Sequence, residues 1–266
     1  MMNVLPIVVL YNTDFHTTNV WQTLLCHEPD CQVLLYENSL EPLNQRYASD
    51  QVLYHHDPNN GGVSAAYNYG ACQARQLEGV EAVLLLDEDT CFESDYLKVL
   101  RDLLQAHPDI NLFVPQVLYQ GDFPFSPSRR GLRWHRGVSL PEGQYSLHDY
   151  LPVNSGACIR LSVFERVGGY QDAIRLDFAD FDFFARLAEV SADFWRIDRV
   201  AQQSFSNSET DIDRLYRRYL FYLEGAREAR KNKLIRRMVD VGVLRHTLAL
   251  TARTNSLRFI KKYLFR

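Results

Sequence analysis

Three consecutive carboxylates, Asp87, Glu88 and Asp89, follow four aliphatic residues in the segment VLLLDEDTCF. An apolar run without alternation is typical of a strand buried on both faces of an α/β sheet, and ligands of such sheets bind at the carboxyl ends of the strands. Alternate residues of a strand point the same way, so Asp87 and Asp89 are expected to converge. Hard oxygen ligands of this kind suit Mg²⁺ or Mn²⁺. The run therefore indicates either a divalent-cation site or an acidic strand end that is solvated.

A second group of carboxylates, Asp177, Asp180 and Asp182, lies among aromatic residues in LDFADFDFFARL. Helical spacing of the large apolar residues predicts a helix with a buried face formed by Phe178, Phe181, Phe184 and Leu187. A carboxylate near such a face can have its basicity tuned and act as a general base. Asp177 shares the helix face of Asp180, whereas Asp182 points elsewhere. The alternative is that all three acids are solvated or cap the helix.

A turn containing Asn60, Gly61 and Gly62 leads into a predicted helix in DPNNGGVSAAYNYG. Glycine permits close approach of the backbone, and the first amides of a helix can face a phosphate or a sugar. Neither the G-x-G-x-x-G fingerprint nor a G-x-x-x-x-G-K-[ST] loop occurs in the chain. The segment therefore indicates a ligand-facing turn of another kind, or a plain turn before a helix.

Predicted strands and helices alternate along the first part of the chain and supply the frame for these groups. VLPIVVLYN, CQVLLYENS and EAVLLLDEDT are predicted strands, FHTTNVWQTLLC and VSAAYNYGACQARQL are predicted helices, and Ser94 is the predicted N-cap of the helix that follows. This order predicts a parallel or mixed sheet with helices on both faces. The length of 266 residues and the hydrophobic content of 46% favour one elaborated domain with a tail.

Residues 121–150 interrupt this pattern with a segment rich in Gly, Pro and Arg, which is long for a connection without structure. The residues of interest in it are Arg129, Arg130, Arg133, Trp134 and Arg136. They could form a lid that engages a diphosphate or a sugar, or they could belong to a solvated loop.

The net charge of −4 conceals a strong asymmetry between the body and the tail of the chain. Residues 226–266 contain 12 Lys or Arg against 2 acids, which leaves 17 basic and 31 acidic residues in the rest. Apolar and basic residues recur there at helical spacing: Leu234, Met238, Val241, Leu244, Leu248, Leu257, Ile260 and Leu264, with Lys233, Arg236, Arg237, Arg245, Lys261 and Lys262. This predicts a basic amphipathic helix on an anionic membrane. Packing against the rest of the chain, where the catalytic groups would lie, or against a partner subunit is the alternative.

Cysteine usage and hydropathy bear on the compartment. The five cysteines lack paired CxxC spacing, and their odd number argues against a complete disulfide framework. No apolar stretch approaches the roughly 18 residues that a membrane span needs. We therefore expect a cytoplasmic protein that is soluble or peripheral at the inner face of the cytoplasmic membrane.

From Leu5 to about Ser208 the chain resembles the family 2 glycosyltransferases of the GT-A fold, especially the bacterial rhamnosyltransferase-like branch. The motifs occur in family order: VVLYN, YENS, NNGGVSAAYNYG, LLLDEDT as the DxD element, NSGACIRLSVFERVGGY, and DFADFDFFARL around the expected catalytic acid. The resemblance implies an α/β GT-A fold with a mixed central sheet flanked by helices. It divides the chain into a catalytic domain of residues 1–208 and a basic helical C-terminal extension of residues 209–266.

The resemblance also implies roles for individual residues. The nucleotide sugar would be contacted by Tyr11, Asn12, Glu37, Asn60, Gly61 and Asp87. Asp89, together with Asp87, would hold Mg²⁺ or Mn²⁺ against the diphosphate, and Asp180 would deprotonate the acceptor hydroxyl. Acceptor contacts are assigned to Asp177, Trp134, Asn154, Ser155 and Gly156.

The implied activity is inverting, metal-dependent transfer of rhamnose or another hexose from a dTDP-, UDP- or GDP-linked donor. The acceptor would be a glycan of O-antigen or capsule synthesis, and one such acceptor is a glycan linked to polyprenyl diphosphate. No nucleic-acid partner is expected. Two departures from the family pattern are Glu37, where an Asp is usual, and the lack of a His after the last core strand, where Gln202, Gln203 or Ser204 could act instead.

Two other functions compete with this interpretation. A phosphatase of the haloacid dehalogenase type also places DxD after an apolar strand. That motif, however, has Thr or Val at the position where this chain has Cys91, and it lies near the start of the phosphatase fold. A non-catalytic subunit that binds a nucleotide sugar or a glycan is compatible with Glu37 and with the missing His. Turnover without a partner would distinguish that subunit from an enzyme.

Overall fold

The central feature is a mixed β-sheet, seen in a computed structural model that describes residues 3–119, 121–131, 137–203 and 210–265. The strands in these residues are β1 (Asn3–Leu10), β2 (Val33–Glu37), β3 (Val52–His56), β4 (Val80–Asp87), β5 (Thr90–Phe92), β6 (Leu112–Tyr119), β7 (Phe123–Ser126), β8 (Ser128–Arg129), β9 (Gly143–Ser146), β10 (Tyr150–Leu151), β11 (Cys158–Arg160) and β12 (Asp193–Gln203). The order is β3-β2-β1-β4-β11-β6-β12-β5, with β7 beside β6 and β9 beside β12. Strands β1 to β4 pair in parallel, and β11 runs antiparallel to both β4 and β6. The predicted mixed sheet is confirmed.

Helices cover both faces of this sheet. They are α1 (Asn19–Thr23), α2 (Gly62–Ala74), α3 (Tyr96–Ala106), α4 (Leu161–Val167), α5 (Ala179–Ala188), α6 (Ile212–Ala229), α7 (Arg236–Thr254) and α8 (Arg258–Leu264). Alternate residues of β1 enter two separate cores: Leu5 and Ile7 pack with α2, α4 and α5, whereas Val4 and Val8 pack with α1 and α3. The strands are therefore buried on both faces, as their unbroken apolar runs predict.

Two local predictions fail near the ends of helices. The helix predicted over residues 15–26 is only the short α1, flanked by 3-10 turns. The hydroxyl of Thr18 accepts a hydrogen bond from the Trp21 amide and so caps the helix at Asn19, and the Thr23 hydroxyl donates to the Asn19 carbonyl near the other end. Ser94 is not an N-cap, because α3 begins at Tyr96 after Asp95 and has no side-chain cap.

The aromatic face predicted around α5 is largely confirmed. Phe178, Phe184 and Leu187 are buried, and so is Phe183, which stacks on Tyr170 with ring centroids 4.2 Å apart. The exception is Phe181, which is only partly buried and lines a cavity. The helix is therefore fixed in the core on one side and faces a cleft on the other.

The C-terminal helices α6, α7 and α8 join the core on the side of α2, α4 and α5. Tyr219, Tyr222, Val239, Val243 and Phe259 are buried in that core. The alternative of packing against the catalytic domain is therefore correct for the inner side of the tail.

The outer side of the tail keeps part of the predicted apolar stripe exposed. Met238 is buried and Val241 is half-buried, whereas Leu234, Leu244 and Leu248 are exposed, as are Leu257 and Leu264. Among the described helices, none combines the length and hydropathy that a bilayer crossing requires.

Candidate active site

Strand β4 delivers Asp87 to the carboxyl edge of the sheet, where its carboxylate meets side chains from two other segments. The hydroxyl of Tyr67, on α2, donates to Asp87 Oδ1 at 3.3 Å, and the Ser155 hydroxyl donates a short hydrogen bond to Asp87 Oδ2. Tyr67 and Ser155 are themselves buried. Asp87 is therefore held in one position by residues that contact it from both sides.

Glu88 and Asp89 lie in the turn between β4 and β5 and turn to different partners. Glu88 accepts hydrogen bonds from the Tyr11 amide at 3.0 Å and from the Thr13 hydroxyl at 3.1 Å. Asp89 interacts instead with the Gln203 side chain at the end of β12. Because the strand ends at Asp87, the relation between Asp87 and Asp89 is set by this turn and not by strand alternation.

The three carboxylates are electrostatically unfavourable as they stand. Burial raises the pKa of Asp87, Glu88 and Asp89, and the negative charge of Asp89 raises the pKa of Asp87 further. Within the described ranges, no group of three His, Cys, Asp or Glu side chains is arranged to hold a metal alone. Mg²⁺ is, however, usually bound by one or two carboxylates together with substrate phosphates. Asp87 and Asp89 fit that kind of incomplete site.

Two cavities that share lining residues open near this edge of the sheet, and Asp87 lines the smaller of them. The smaller, of about 320 Å³, is lined by Asp87, Asn154, Ser155, Asp177, Asp180 and Gln203, among others. The larger, of about 580 Å³, is lined by Tyr11, Asn38, Asn60, Arg175, Asp177 and Phe221, among others. Both volumes are in the usual range for small-molecule sites. The structure therefore gathers eight residues of the predicted site around one divided cleft: Tyr11, Asn60, Asp87, Asn154, Ser155, Asp177 and Asp180, with Asp89 held through Gln203.

Asp180 lies in the first turn of α5 and borders the smaller cavity. Burial raises its pKa from the ordinary 3.8 to about 7; the Phe181 amide, 2.8 Å from Oδ1, opposes the rise, and the charges of Asp87 and Asp177 add to it. A carboxyl group with a pKa near 7 is matched to general-base work at neutral pH.

The backbone just before α5 is strained. Phe178 has a φ of 70°, in the left-handed region that bulky residues rarely adopt. Its buried ring packs against Tyr222 of α6, with centroids 4.9 Å apart. Strain of this kind persists where the surrounding structure fixes it, and it is common at functional sites.

The two neighbours of Asp180 have different surroundings. Asp177 lines both cavities and forms an ion pair with Arg218 of α6. Asp182 is buried, pairs with Arg186 at 2.8 Å and accepts a hydrogen bond from Asn232 at 3.3 Å. The prediction that Asp177 shares a helix face with Asp180 is wrong, because Asp177 precedes the left-handed Phe178 and α5 begins only at Ala179, but Asp177 still lines the site.

Asn154 and Ser155 form part of the wall of the smaller cavity, and Gly156 follows them in the sequence. Asn154 Oδ1 accepts a hydrogen bond from the buried Tyr170 hydroxyl at 2.6 Å. Gly156 lies behind the wall with a φ of 78°, and its carbonyl accepts from Tyr96 Oη at 2.6 Å. Asn154 and Ser155 can therefore meet a ligand, whereas Gly156 shapes the backbone behind them. Trp134 lies outside the described residues.

The residues expected at the nucleotide differ in their accessibility. Tyr11 is 54% exposed and lines the larger cavity, and the Asn12 amide donates to the Ser39 hydroxyl at 2.8 Å. Glu37 is fully buried. Its carboxylate accepts from the amides of Leu43 and Asn44 at 3.1 and 3.0 Å and from Tyr54 Oη at 2.8 Å.

Glu37 therefore holds a loop of the protein and does not line either cavity. Burial would raise its pKa, but these hydrogen bonds outweigh burial and lower it. Its neighbour Asn38 lines the larger cavity instead.

The expectation that the first amides of α2 face a ligand is wrong, because the protein itself uses them. The Gly61 amide donates to Asp57 at 2.8 Å, the Gly62 amide to Asn38 at 3.2 Å, and the Val63 amide to the Arg175 carbonyl at 2.8 Å. A Cβ atom at Gly62 would lie 2.0 Å from that carbonyl. Gly62 therefore permits close contact between α2 and the segment before α5, and Gly61 does not line either cavity.

Sequence reasoning missed the contributions of Tyr67, Asn38, Arg218 and Tyr222. The helical pattern of α2 places Tyr67 on its apolar face and could have indicated burial, but not the contact with Asp87. Nothing local distinguishes Arg218 from the preceding Arg217.

Comparisons with known proteins agree with this geometry. The family model described as glycosyl transferase family 2 matches residues 37–168. A dTDP-rhamnosyl transferase, RfbF of Shigella flexneri, is 22% identical over 280 residues, which cover 98% of this chain and 93% of that protein.

Solved structures show the same fold at low sequence identity. GalNAc-T7 with UDP, GalNAc and Mn²⁺ has a TM-score of 0.59 at 11% identity, over 91% of this chain and 54% of that one. S. aureus TarS in complex with UDP has a TM-score of 0.56 at 14% identity, over 84% of this chain and 65% of that one. The chain thus spans less than two thirds of the length of these two structures. With its mixed sheet, its DxD strand end and these matches, the protein is a glycosyltransferase of the GT-A fold that is similar to the family 2 glycosyltransferases over residues 37–168.

Proposed function

We propose that this glycosyltransferase moves rhamnose or another hexose from a dTDP-, UDP- or GDP-linked donor to a glycan acceptor, with inversion at the anomeric carbon. The observation that carries the proposal is the position of Asp180, whose pKa of about 7 suits a base, in a cavity adjoining one large enough for a nucleoside. Among the three donors we favour a dTDP-sugar, because the relative matched over nearly the whole chain is named as a dTDP-rhamnosyl transferase.

In this mechanism the smaller cavity holds the reacting groups. The Asp180 carboxylate accepts the proton of the acceptor hydroxyl as the new C–O bond forms, and the bond from the anomeric carbon to the nucleoside diphosphate breaks. Attack from the face opposite the leaving group inverts the configuration. Asn154 and Ser155, on the cavity wall, orient the sugars, and Tyr67 and Ser155 keep Asp87 in place.

A divalent cation belongs to the proposal. Asp89 and Asp87 would hold Mg²⁺ or Mn²⁺, and the bound ion would stabilise the negative charge of the departing diphosphate. Gln203, one of the residues that could act instead of the missing His, would position Asp89 through their side-chain hydrogen bond.

The acceptor is proposed to be a surface glycan of O-antigen or capsule synthesis, in one form carried on polyprenyl diphosphate. The catalytic domain of residues 1–208 and the extension of residues 209–266 would act together in the cytoplasm, at the inner face of the cytoplasmic membrane. Support comes from the exposed leucines of α7 and α8, which lie beside exposed basic residues such as Arg245 and Lys261.

The test is a transfer assay with purified protein. dTDP-rhamnose, UDP-glucose and GDP-mannose are offered with a lipid-linked glycan acceptor, with Mn²⁺ or with EDTA, and the product linkage is read by NMR. We expect transfer from one donor, dependent on Mn²⁺, with an inverted anomeric configuration. Retention of configuration, or equal rates in EDTA, would contradict the corresponding part of the proposal.

A further inference from the structure

Helix α6, in the C-terminal extension, forms a wall of both cavities. Tyr222 lines the smaller cavity, Phe221 and Gly225 line the larger one, and Arg218 lines both. A Cβ atom at Gly225 would lie 3.0 Å from the Asp177 carbonyl oxygen, so the helix approaches the segment before Asp180 closely. The extension is therefore part of the cleft.

Arg218 lies where the two cavities meet. Four described residues line both of them, and Arg218 is the cation of that set: Val63, Leu176, Asp177 and Arg218. In a nucleotide sugar, the diphosphate lies between the nucleoside and the sugar. If the larger cavity takes the nucleoside and the smaller one the sugar, the diphosphate passes the junction at Arg218.

The charges of the cleft favour a cation at this junction. Asp87, Asp177 and Asp180 all line the smaller cavity, and an incoming diphosphate adds further negative charge. The Arg218 side chain is 48% exposed, and its ion pair with Asp177 holds the guanidinium at the cleft. A planar guanidinium can bind two phosphate oxygens at once.

We propose that Arg218 binds the diphosphate of the nucleotide-sugar donor, and that Asp177 holds the guanidinium in place until the donor arrives. This inference rests on the proposed function, because it requires a nucleoside diphosphate in the cleft. It makes the C-terminal extension a part of the donor site.

The experiment measures nucleotide affinity by calorimetry in the full chain with Mg²⁺. dTDP, UDP and GDP are tested first, and the one that binds most tightly is compared with its monophosphate. Arg218→Gln should weaken diphosphate binding about 10- to 100-fold, since a charge-assisted hydrogen bond is lost. Binding of the monophosphate should change less, and Arg218→Lys should restore part of the loss.

Two further variants separate a phosphate contact from a structural ion pair. Arg217→Gln removes the neighbouring charge of α6, which lines neither cavity, and should leave affinity within about twofold. Asp177→Asn frees Arg218 and removes a negative charge, so it should bind the diphosphate at least as tightly as the unaltered protein. A merely structural ion pair would instead make Asp177→Asn and Arg218→Gln lose affinity equally.

Three results would overturn the inference. If Arg218→Gln keeps its preference for the diphosphate over the monophosphate, Arg218 is not a diphosphate ligand. If that variant binds the donor nucleotide normally but has a raised KM for a lipid-linked acceptor, the residue serves the diphosphate of the acceptor instead. If the unaltered protein binds none of the three nucleoside diphosphates, the proposed function fails together with the inference.

Discussion

Replacement of Asp180 by Asn should stabilise the protein at neutral and alkaline pH while it disables transfer. In the unfolded chain this carboxyl group has its ordinary pKa of 3.8, whereas in the folded protein burial raises the pKa to about 7. Between these values the folded state binds one more proton than the unfolded state, so stability falls as pH rises and then levels above about pH 7. A difference of this size corresponds to a cost on the order of 4 kcal/mol.

Asn has nearly the same shape and carries no charge, so Asp180→Asn should not show this loss. The difference in unfolding free energy between the variant and the unaltered protein should therefore grow, in favour of the variant, by on the order of 2 to 3 kcal/mol from about pH 5 to about pH 8. Urea denaturation at both pH values measures it. Transfer should fall by roughly 10² to 10⁴, because the variant cannot take the acceptor proton.

Asp182→Asn is the matched control. Asp182 is buried and paired with Arg186, so its replacement breaks that ion pair and should lower the stability of the protein instead of raising it. An equal stability difference at both pH values for Asp180→Asn would refute the reasoning that burial keeps Asp180 protonated. Near-normal transfer by that variant would refute its role as the base.

The remaining predictions concern the metal and the tail. Asp89→Asn should remove the Mn²⁺-dependent part of nucleoside diphosphate affinity in calorimetry, and an unchanged dependence would exclude Asp89 from the site. Deletion from Asn232 onward removes buried residues of α7 and α8, so we expect loss of cooperative unfolding and not an intact donor-binding core; a cooperative transition in circular dichroism would contradict this. Replacement of Arg237, Arg245 and Lys261 by Gln should weaken binding to anionic vesicles by about 1 kcal/mol per charge, an effect that salt screens, and co-sedimentation measures this loss. Unchanged co-sedimentation would argue against binding of the tail to a membrane surface.

The parts of the site that depend on local pattern could be predicted from the sequence. The aliphatic run before Asp87 needs burial on both sides, and the aromatic spacing around Asp180 needs a helix against the core, so both residues were expected where they are found. Each signal lies within about a dozen residues and follows from the repeat of one element.

Contacts between distant segments could not be predicted in this way. The carboxylate of Glu37 could serve a ligand or its own loop, and the choice depends on where Asn44 and Tyr54 lie in space. Arg218 meets Asp177 across 41 residues of sequence, and its neighbour Arg217 has the same chemistry. Helix phase and packing decide between these two arginines, and both are set by the whole fold.

The close approach of α6 at Gly225 has a consequence for protein engineering. A chimera that takes its C-terminal region from another family member exchanges one wall of the cleft along with the exposed helical surface. The packing of Tyr222 on the strained Phe178 would also have to be matched across the junction, since that residue precedes Asp180 by two positions. Recombination within this family should therefore keep the segment around Asp180 and α6 from the same parent.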